Sequence, residues 1–556
     1  MKKRLWIYPV ICLVFGILIS GQFKKEVVPV KKDFKELWVS HRVLPSKIAL
    51  DAYLVGNEAR GKRDLLQAIK SYKKVLEQDP QNTTLLKDVY LFSMIQGVPE
   101  EVIPYLSNIQ EDKLFADYLK IADYFKKGNM DKAIASLKQK KVSPIDTILS
   151  PLVYAWIYAY KNDKKKAISA VNSLTKNSFW VGYQKVLLGH YFHDDDLIQE
   201  GINQLGDNDL AAVGYFPLLK NTVLKIGNWE RSALNRKYNE LVQLYPVTAD
   251  LLVQIGQTEI TPEKGLSETF YLMSALGGSG HLNREEALAL NSISLLLQPD
   301  KQMALVWAAE LSEGLQLPQV AVSYYQRLKF HSATLEFKQA ANLLLSGKSK
   351  EALEKMEILE KTNAKSIPLL TLMGEAYQQQ EQKERALSIY NRLIPLLEER
   401  PQNGPLIRAY VARGALYGIK ENDKMLSDLK RAQALDPENP MMLNDLGYHQ
   451  LEMGAMEEGF DLVQKAHTKK PNNPYILDSL AFGYLKKGSA HTALPFAERA
   501  LDLMPQSALI NAHLGDIYAE LGRHREAGFQ YKKALDLKID LTDDLKKELT
   551  QKLKKN

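Results

Sequence analysis

Pro437, Pro471 and Pro505 stand 34 residues apart, and this interval limits the possible folds of the chain more than any other feature. A period of that length accommodates two short helices and their turns, so the unit is a helical hairpin. Drawn as 440–473, 474–507 and 508–541, the units place small residues in step: Gly447, Ala481 and Gly515 at position 8, Gly459, Ala493 and Ala527 at 20, and Ala466, Ala500 and Ala534 at 27. Gly454, Gly488 and Gly522 share position 15, and Leu446, Leu480 and Leu514 share position 7. Small residues let two helix backbones approach where they cross, and large residues at helical spacing fill the grooves around them. Glycine at 15 ends the first helix and proline at 32 stops the second. One hairpin cannot bury its own apolar face, so neighbours must stack, which predicts an all-α, right-handed superhelical solenoid with a concave inner face.

The same ruler runs back through 333–366 (Ala340, Gly347, Ala352) and 367–400 (Gly374, Ala386, Tyr390), with a short insertion in 401–439. Near the start, 49–82 is a clear unit with Gly56, Ala68, Tyr72 and Pro80 in phase, followed by degenerate units to residue 145. The expected organisation is N-terminal repeats at 49–145, irregular helical repeats at 146–284, a C-terminal array at 285–541 and a basic capping helix at 542–556. Leu541, Leu545, Leu549 and Leu553 give that last segment an apolar stripe at i, i+4 spacing.

Hydrophobic residues at 45% and charged residues at 25% describe a globular body rather than a disordered chain or a polytopic membrane protein. A formal charge of +7 over 556 residues leaves no global nucleic-acid footprint. The single cysteine, Cys12, leaves the folded body without disulfide, thiolate-zinc or thiol chemistry. It lies in an apolar run from Leu5 to Gly21 that follows Lys2, Lys3 and Arg4. A basic segment, an apolar core and a small-residue end make 1–21 a cleaved signal peptide or an uncleaved anchor, with cleavage favoured; residues 22–48 then form a tether. Either outcome exports the remainder.

The stretches LNDLGYHQLEMG (443–454), NNPYILDSLAFGYLKKG (472–488) and INAHLGDIYAELGRHREAGFQYKKAL (510–535) resemble tetratricopeptide-repeat proteins of the alphaproteobacterial cell envelope, in which the matching runs read LNYLGYSL, DSLGWAYYRLG and HLGDALWRVGRRxEARFQWxRAL. Ala481 and Phe482 stand where that family has Gly and Trp, and Gly528 replaces an Arg. The likeness covers about half the chain and is strongest after residue 400. It implies a periplasmic or envelope location and a non-enzymatic scaffold binding a protein or peptide. The alternative is an accessory subunit of a peptidoglycan or polysaccharide enzyme. In such repeats, positions 2, 5, 9 and 12 of the first helix point inward, which selects Asn444, Tyr448, Tyr475, Asp478, Phe482 and Asp516 as partner-binding residues. Aromatics among Asn and Asp suit an extended peptide or a helix laid in a groove. They depart from the Lys, Arg and Asn of a carboxylate clamp. Packing of Tyr448 and Phe482 against the adjacent unit is the competing reading.

No phosphate loop, GxSxG or HExxH motif occurs, and neither a catalytic residue nor a cofactor is expected. GGSG at 277–280 reads as an interhelical loop. His190 and His193 before Asp194, Asp195 and Asp196 could ligate a divalent metal, but carboxylates opening a helix explain them more simply. His513 stands three residues before Asp516 on one helix face, so the two could pair.

Overall fold

The computed structural model describes residues 47–109, 113–140, 143–174, 178–205, 259–277, 282–399, 403–417, 421–537, 541 and 543–555. The expected signal segment, nearly all of the tether and most of the GGSG turn lie outside these residues. Among the described residues every regular element is a helix, and the helices follow one another as hairpins.

The chain divides into two units, separated in the repeat region between Ala304 and Leu305. The first begins with α1 (Lys47–Gly61) and α2 (Leu65–Leu76), then α3 (Thr83–Gln96), whose partner is a pair of 3-10 turns at Pro99–Glu101 and Ile103–Asn108. Pro99 and Pro104 in that partner remove the amides an α-helix would need. α4 (Lys113–Lys126) pairs with α5 (Met130–Gln139), α6 (Asp146–Tyr160) with α7 (Lys164–Asn172), and α8 (Ser178–Phe192) with α9 (Asp195–Gln204).

Within the block expected to hold irregular helical repeats, the described helices remain hairpins up to residue 204. They escape a glycine-based ruler because their tight turns use other residues. Asn162 and His193 sit at φ of 56° and 51° where Gly454, Gly488 and Gly522 serve the later hairpins at 72° to 82°. The hydrogen bonds are the same in both kinds: Asp163 N donates to Tyr158 O at 2.8 Å as Ala455 N donates to Gln450 O at 2.9 Å. This is the left-handed helix terminus, and the bonds it makes offset the cost of a side chain there.

α10 (Pro262–Gly277) and α11 (Arg284–Leu297) form a hairpin that does not extend the stack. α11 lies against α3 and α4, and α10 lies against α6 and α8. The hairpin thus crosses the first helices of four successive repeats. All residues of α11 from Ala287 to Leu297 are buried, including Asn291, Ser292 and Ser294. Their polar atoms find partners across the contact: Ser292 Oγ donates to Met94 O, and Ser267 and Ser294 bond each other at 2.8 Å. Lys126 Nζ donates to Leu296 O at 2.9 Å. Gly265 on α10 faces Trp156 of α6, whose indole N–H donates to Gln184 Oε1 at 2.8 Å. α11, which falls within the expected C-terminal array of 285–541, pairs with α10 before it, and the second unit begins at Leu305.

The second unit holds α12 (Gln302–Gly314, of which Leu305 onward belongs here), α13 (Pro318–Tyr325), and the pairs α14 (Ala333–Leu345) with α15 (Ser349–Glu360) and α16 (Ile367–Gln379) with α17 (Lys383–Glu398). Next come α18 (Asn403–Tyr417) with α19 (Asn422–Leu435), α20 (Pro440–Glu452) with α21 (Met456–Lys469), α22 (Pro474–Lys486) with α23 (Ala490–Leu503), and α24 (Ala508–Glu520) with α25 (His524–Asp536). α26 (Asp543–Lys555) closes the described chain. The small residues lie where the spacing predicts. A Cβ on Gly447 would meet Gly459 O at 2.8 Å, so that crossing admits no side chain. α26 buries Leu549 completely against the last hairpin, with Leu541, Leu545 and Leu553 beside it.

Candidate functional site

Three first helices, α20, α22 and α24, begin alike. Asn439 accepts from Met441 N and Met442 N, Asn473 from Tyr475 N and Ile476 N, and Ser507 from Ile510 N. Pro440 and Pro474 open the first two helices, where a missing amide costs nothing. Identical starts fix identical register, so equivalent side chains line up along one face. α20 touches α22 and α22 touches α24 directly, which makes the first helices the tighter, inner layer.

Asn444, Asp478 and Phe482 are buried, whereas Tyr448, Tyr475 and Asp516 are half-buried. Tyr448 lies 5.2 Å from Phe482 of the next repeat, centroid to centroid, so the two aromatics pack between neighbouring units. The Phe482 ring in turn stacks on His513 at 4.9 Å.

His513 pairs with Asp478, not with Asp516. Its Nδ1 is 2.9 Å from Asp478 Oδ2, and both side chains are almost fully enclosed. Burial works to lower the imidazole pKa, but Asp478 first, then Asp516 and Glu452, more than offset it and hold His513 above its ordinary value. Asp516 instead accepts from Tyr531 OH at 2.7 Å and from Lys552 Nζ of α26 at 2.7 and 2.8 Å. The separation of His513 from Asp478 is 35 residues, one period plus one. Searching at that interval would have found the pair in the sequence; Lys552 has no such signal, since α26 lies off the ruler.

Several acceptors on the inner row have no hydrogen-bond partner. Asn444 spends its amide nitrogen on Asp445 at 3.3 Å, and its Oδ1 is unsatisfied. Asp478 uses Oδ2 for His513 and leaves Oδ1 unsatisfied. On α16, Glu375 Oε2 is likewise unsatisfied, and burial, partly opposed by Arg408, pushes its carboxyl up to about 7. These oxygens are enclosed by the protein rather than open to solvent.

The other candidate centre is dispersed. His193 occupies the turn, Asp194 caps α9 by accepting from Leu197 N at 3.1 Å, and Lys164 sits 2.5 Å from the other oxygen of Asp194. Among the described residues no three His, Cys, Asp or Glu side chains gather as a metal site. No described helix is long and apolar enough to cross a membrane.

Comparison with known proteins agrees with this architecture. Residues 508–538 match the tetratricopeptide repeat family. No curated protein matches the chain significantly in sequence. A tetratricopeptide repeat protein from Parabacteroides merdae is similar over 46% of this chain and 98% of its own, at 17% identity and a TM-score of 0.39. The structure of the APC/C hetero-tetramer Cut9–Hcn1 covers 90% of this chain and 96% of its own, at 15% identity and a TM-score of 0.34. MamA from Desulfovibrio magneticus covers 31% and 94%, at 16% identity and a TM-score of 0.25. Likenesses this distant carry no activity across.

Proposed function

We propose that the chain is a scaffold that holds a protein or peptide segment on the inner row of its C-terminal array, and that it does so in the bacterial envelope. A tetratricopeptide-type fold supports protein binding in general. The observation that carries the placement is the contrast between the two units. In the first, α10 and α11 already lie across the first helices. In the second, among the described residues, no hairpin does so, and Tyr448 and Tyr475 stand half-buried on α20 and α22. Rigid, partly exposed aromatics give contact area at small entropic cost. The envelope location rests on the basic and apolar pattern of 1–21.

The test is in-cell crosslinking of the wild type and of a Tyr448→Ala, Tyr475→Ala variant, with circular dichroism confirming that the helices persist. The reading requires loss of the crosslinked partner with fold intact; equal capture by both refutes it. N-terminal sequencing of the mature chain from a periplasmic fraction should give a start near Gln22.

A further inference from the structure

The second helices of the repeats form the outer layer, and one of them departs from the others. Phe529 of α25 is 64% exposed and stands at position 22 of the unit 508–541. The same position holds Lys70 on α2, Glu354 on α15, Ser388 on α17, Asp461 on α21 and Pro495 on α23, all of them exposed. The in-phase repeats thus keep large apolar side chains off a place that faces water, and the last repeat puts a phenyl ring there. Packing within the described chain does not use it. α25 turns Ala527, Gln530, Tyr531 and Ala534 inward, Phe529 lies on the opposite side of the helix, and a Cβ added to Gly528 beside it would meet nothing within 4 Å.

Cations surround the ring. Arg525 lies one turn before Phe529, and Lys532 and Lys533 lie one turn after it. Arg525 and Lys532 are exposed and Lys533 is half-buried. None of the three makes an ion pair or a side-chain hydrogen bond among the described residues. The acids close by are Glu526, held by Arg523 at 3.0 Å, and Asp536 in the last turn of the helix. On α26, Glu548 is held by Lys552 at 2.5 Å, whereas Lys546 and Lys554 are exposed. Over 521–556 Lys and Arg number ten against six Asp and Glu, so this end of the chain is positive. We propose that the outer face of α25 docks on an anionic lipid bilayer, with Phe529 entering the boundary between headgroups and acyl chains and Arg525, Lys532 and Lys533 meeting the lipid phosphates. An outward aromatic ring flanked by cations without partners is the pattern of an interfacial helix. It projects from the outer layer rather than lining the inner row, which suits a broad flat surface better than a peptide strand. One ring and three cations give reversible docking rather than permanent insertion. The proposal is independent of what the inner row holds.

The experiment mixes the purified full chain with vesicles of phosphatidylcholine alone or of phosphatidylcholine with phosphatidylglycerol and measures cosedimentation. Tighter binding to the anionic vesicles, weakening as salt rises, is expected. The combined Arg525→Gln, Lys532→Gln, Lys533→Gln variant should partition about 100-fold less, at about fivefold per cation, and Phe529→Ser about tenfold less; circular dichroism checks that both stay folded. Because the apolar run 5–21 could itself enter lipid, an environment-sensitive fluorophore on Phe529→Cys, in a Cys12→Ser chain, reads α25 directly. Its emission should rise with anionic vesicles, and the same label on Pro495→Cys should not respond. Equal binding by the wild type and the triple variant, or a silent label at 529, overturns the proposal. Polyglutamate bound through the same cations, with anionic vesicles ignored, would make the partner an acidic protein and overturn the lipid surface. Each of these results leaves crosslinking at Tyr448 and Tyr475 unaffected.

Discussion

Gly265→Ala tests the docking of α10 and α11 across the first unit. A Cβ at this position would fall inside the van der Waals envelope of Trp156, close to three ring carbons at once. The ring has no room to retreat. It is fully buried, its N–H is tied to Gln184 Oε1 at 2.8 Å, and Gln184 Nε2 donates to Thr269 Oγ1 at 3.1 Å. Thr269 in turn donates to the carbonyl of Gly265 at 3.0 Å, which closes the loop on the substituted residue. Overpacking of this kind costs about 1–3 kcal/mol. If the indole moves enough to lose its bond, an orphaned buried polar pair adds about 1–3 kcal/mol. Hydrogen exchange with mass spectrometry reads the first unit separately from the second, which a global melt does not. A loss of about 2 kcal/mol should speed exchange of amides in 262–297 by about 30-fold. Gly528→Ala is the control: nothing lies within 4 Å of its added methyl, and a helix-interior alanine should stabilise by about 0.5–1 kcal/mol. Unchanged exchange in 262–297 after Gly265→Ala would refute the docking as described.

Three further outcomes follow from the second unit. Burial raises the Glu310 and Glu375 carboxyls to about 7, against an unfolded value near 4.5, so the folded state keeps protons that the unfolded state releases. Stability should therefore fall as pH rises from about 4.5 to 7, by up to about 3 kcal/mol per group, and Glu375→Gln should flatten part of that slope in a series of thermal melts. His513, also raised, contributes in the same direction, its stabilisation being lost as pH climbs through its folded value. Asp478→Ala, which leaves the buried imidazolium without its partner, should cost about 3–5 kcal/mol in urea unfolding, and the double change with His513→Ala should cost less than the two single changes together. Leu549→Ala, at a fully buried position of the cap, should cost about 2–5 kcal/mol and loosen Lys552 from Asp516, seen as faster exchange in 543–555.

The repeat itself was legible because packing writes it locally. Gly447 must be small to clear Gly459, and Gly515 must be small because a Cβ there would meet Tyr531 at 2.5 Å. The same reasoning failed where the physics is satisfied by more than one residue type. Asn162 and His193 close their turns with the bonds that glycine closes elsewhere, so two hairpins looked irregular. Pairing over long sequence distances was less visible still. Nothing local in PEKGLSETFYLMSALG marks it as a helix that returns to cover Trp156, although the serines and threonine among its apolar residues are what such a contact uses. At the candidate site, the inward register of Asn444 and Asp478 could be read from the period, but their burial could not. It depends on packing between adjacent repeats, where Tyr448, Phe482 and His513 lie ring against ring and His513 pairs with Asp478.

The most direct measurement of partner binding on the inner row is site-specific photocrosslinking in cells, with a photoreactive phenylalanine placed in turn at Tyr448, Tyr475 and Phe529. The first two lie on first helices, whereas Phe529 is 64% exposed on the second helix of the last hairpin. Adducts of one discrete partner from positions 448 and 475 with none from 529 are the predicted result. Adducts confined to 529 would contradict the account.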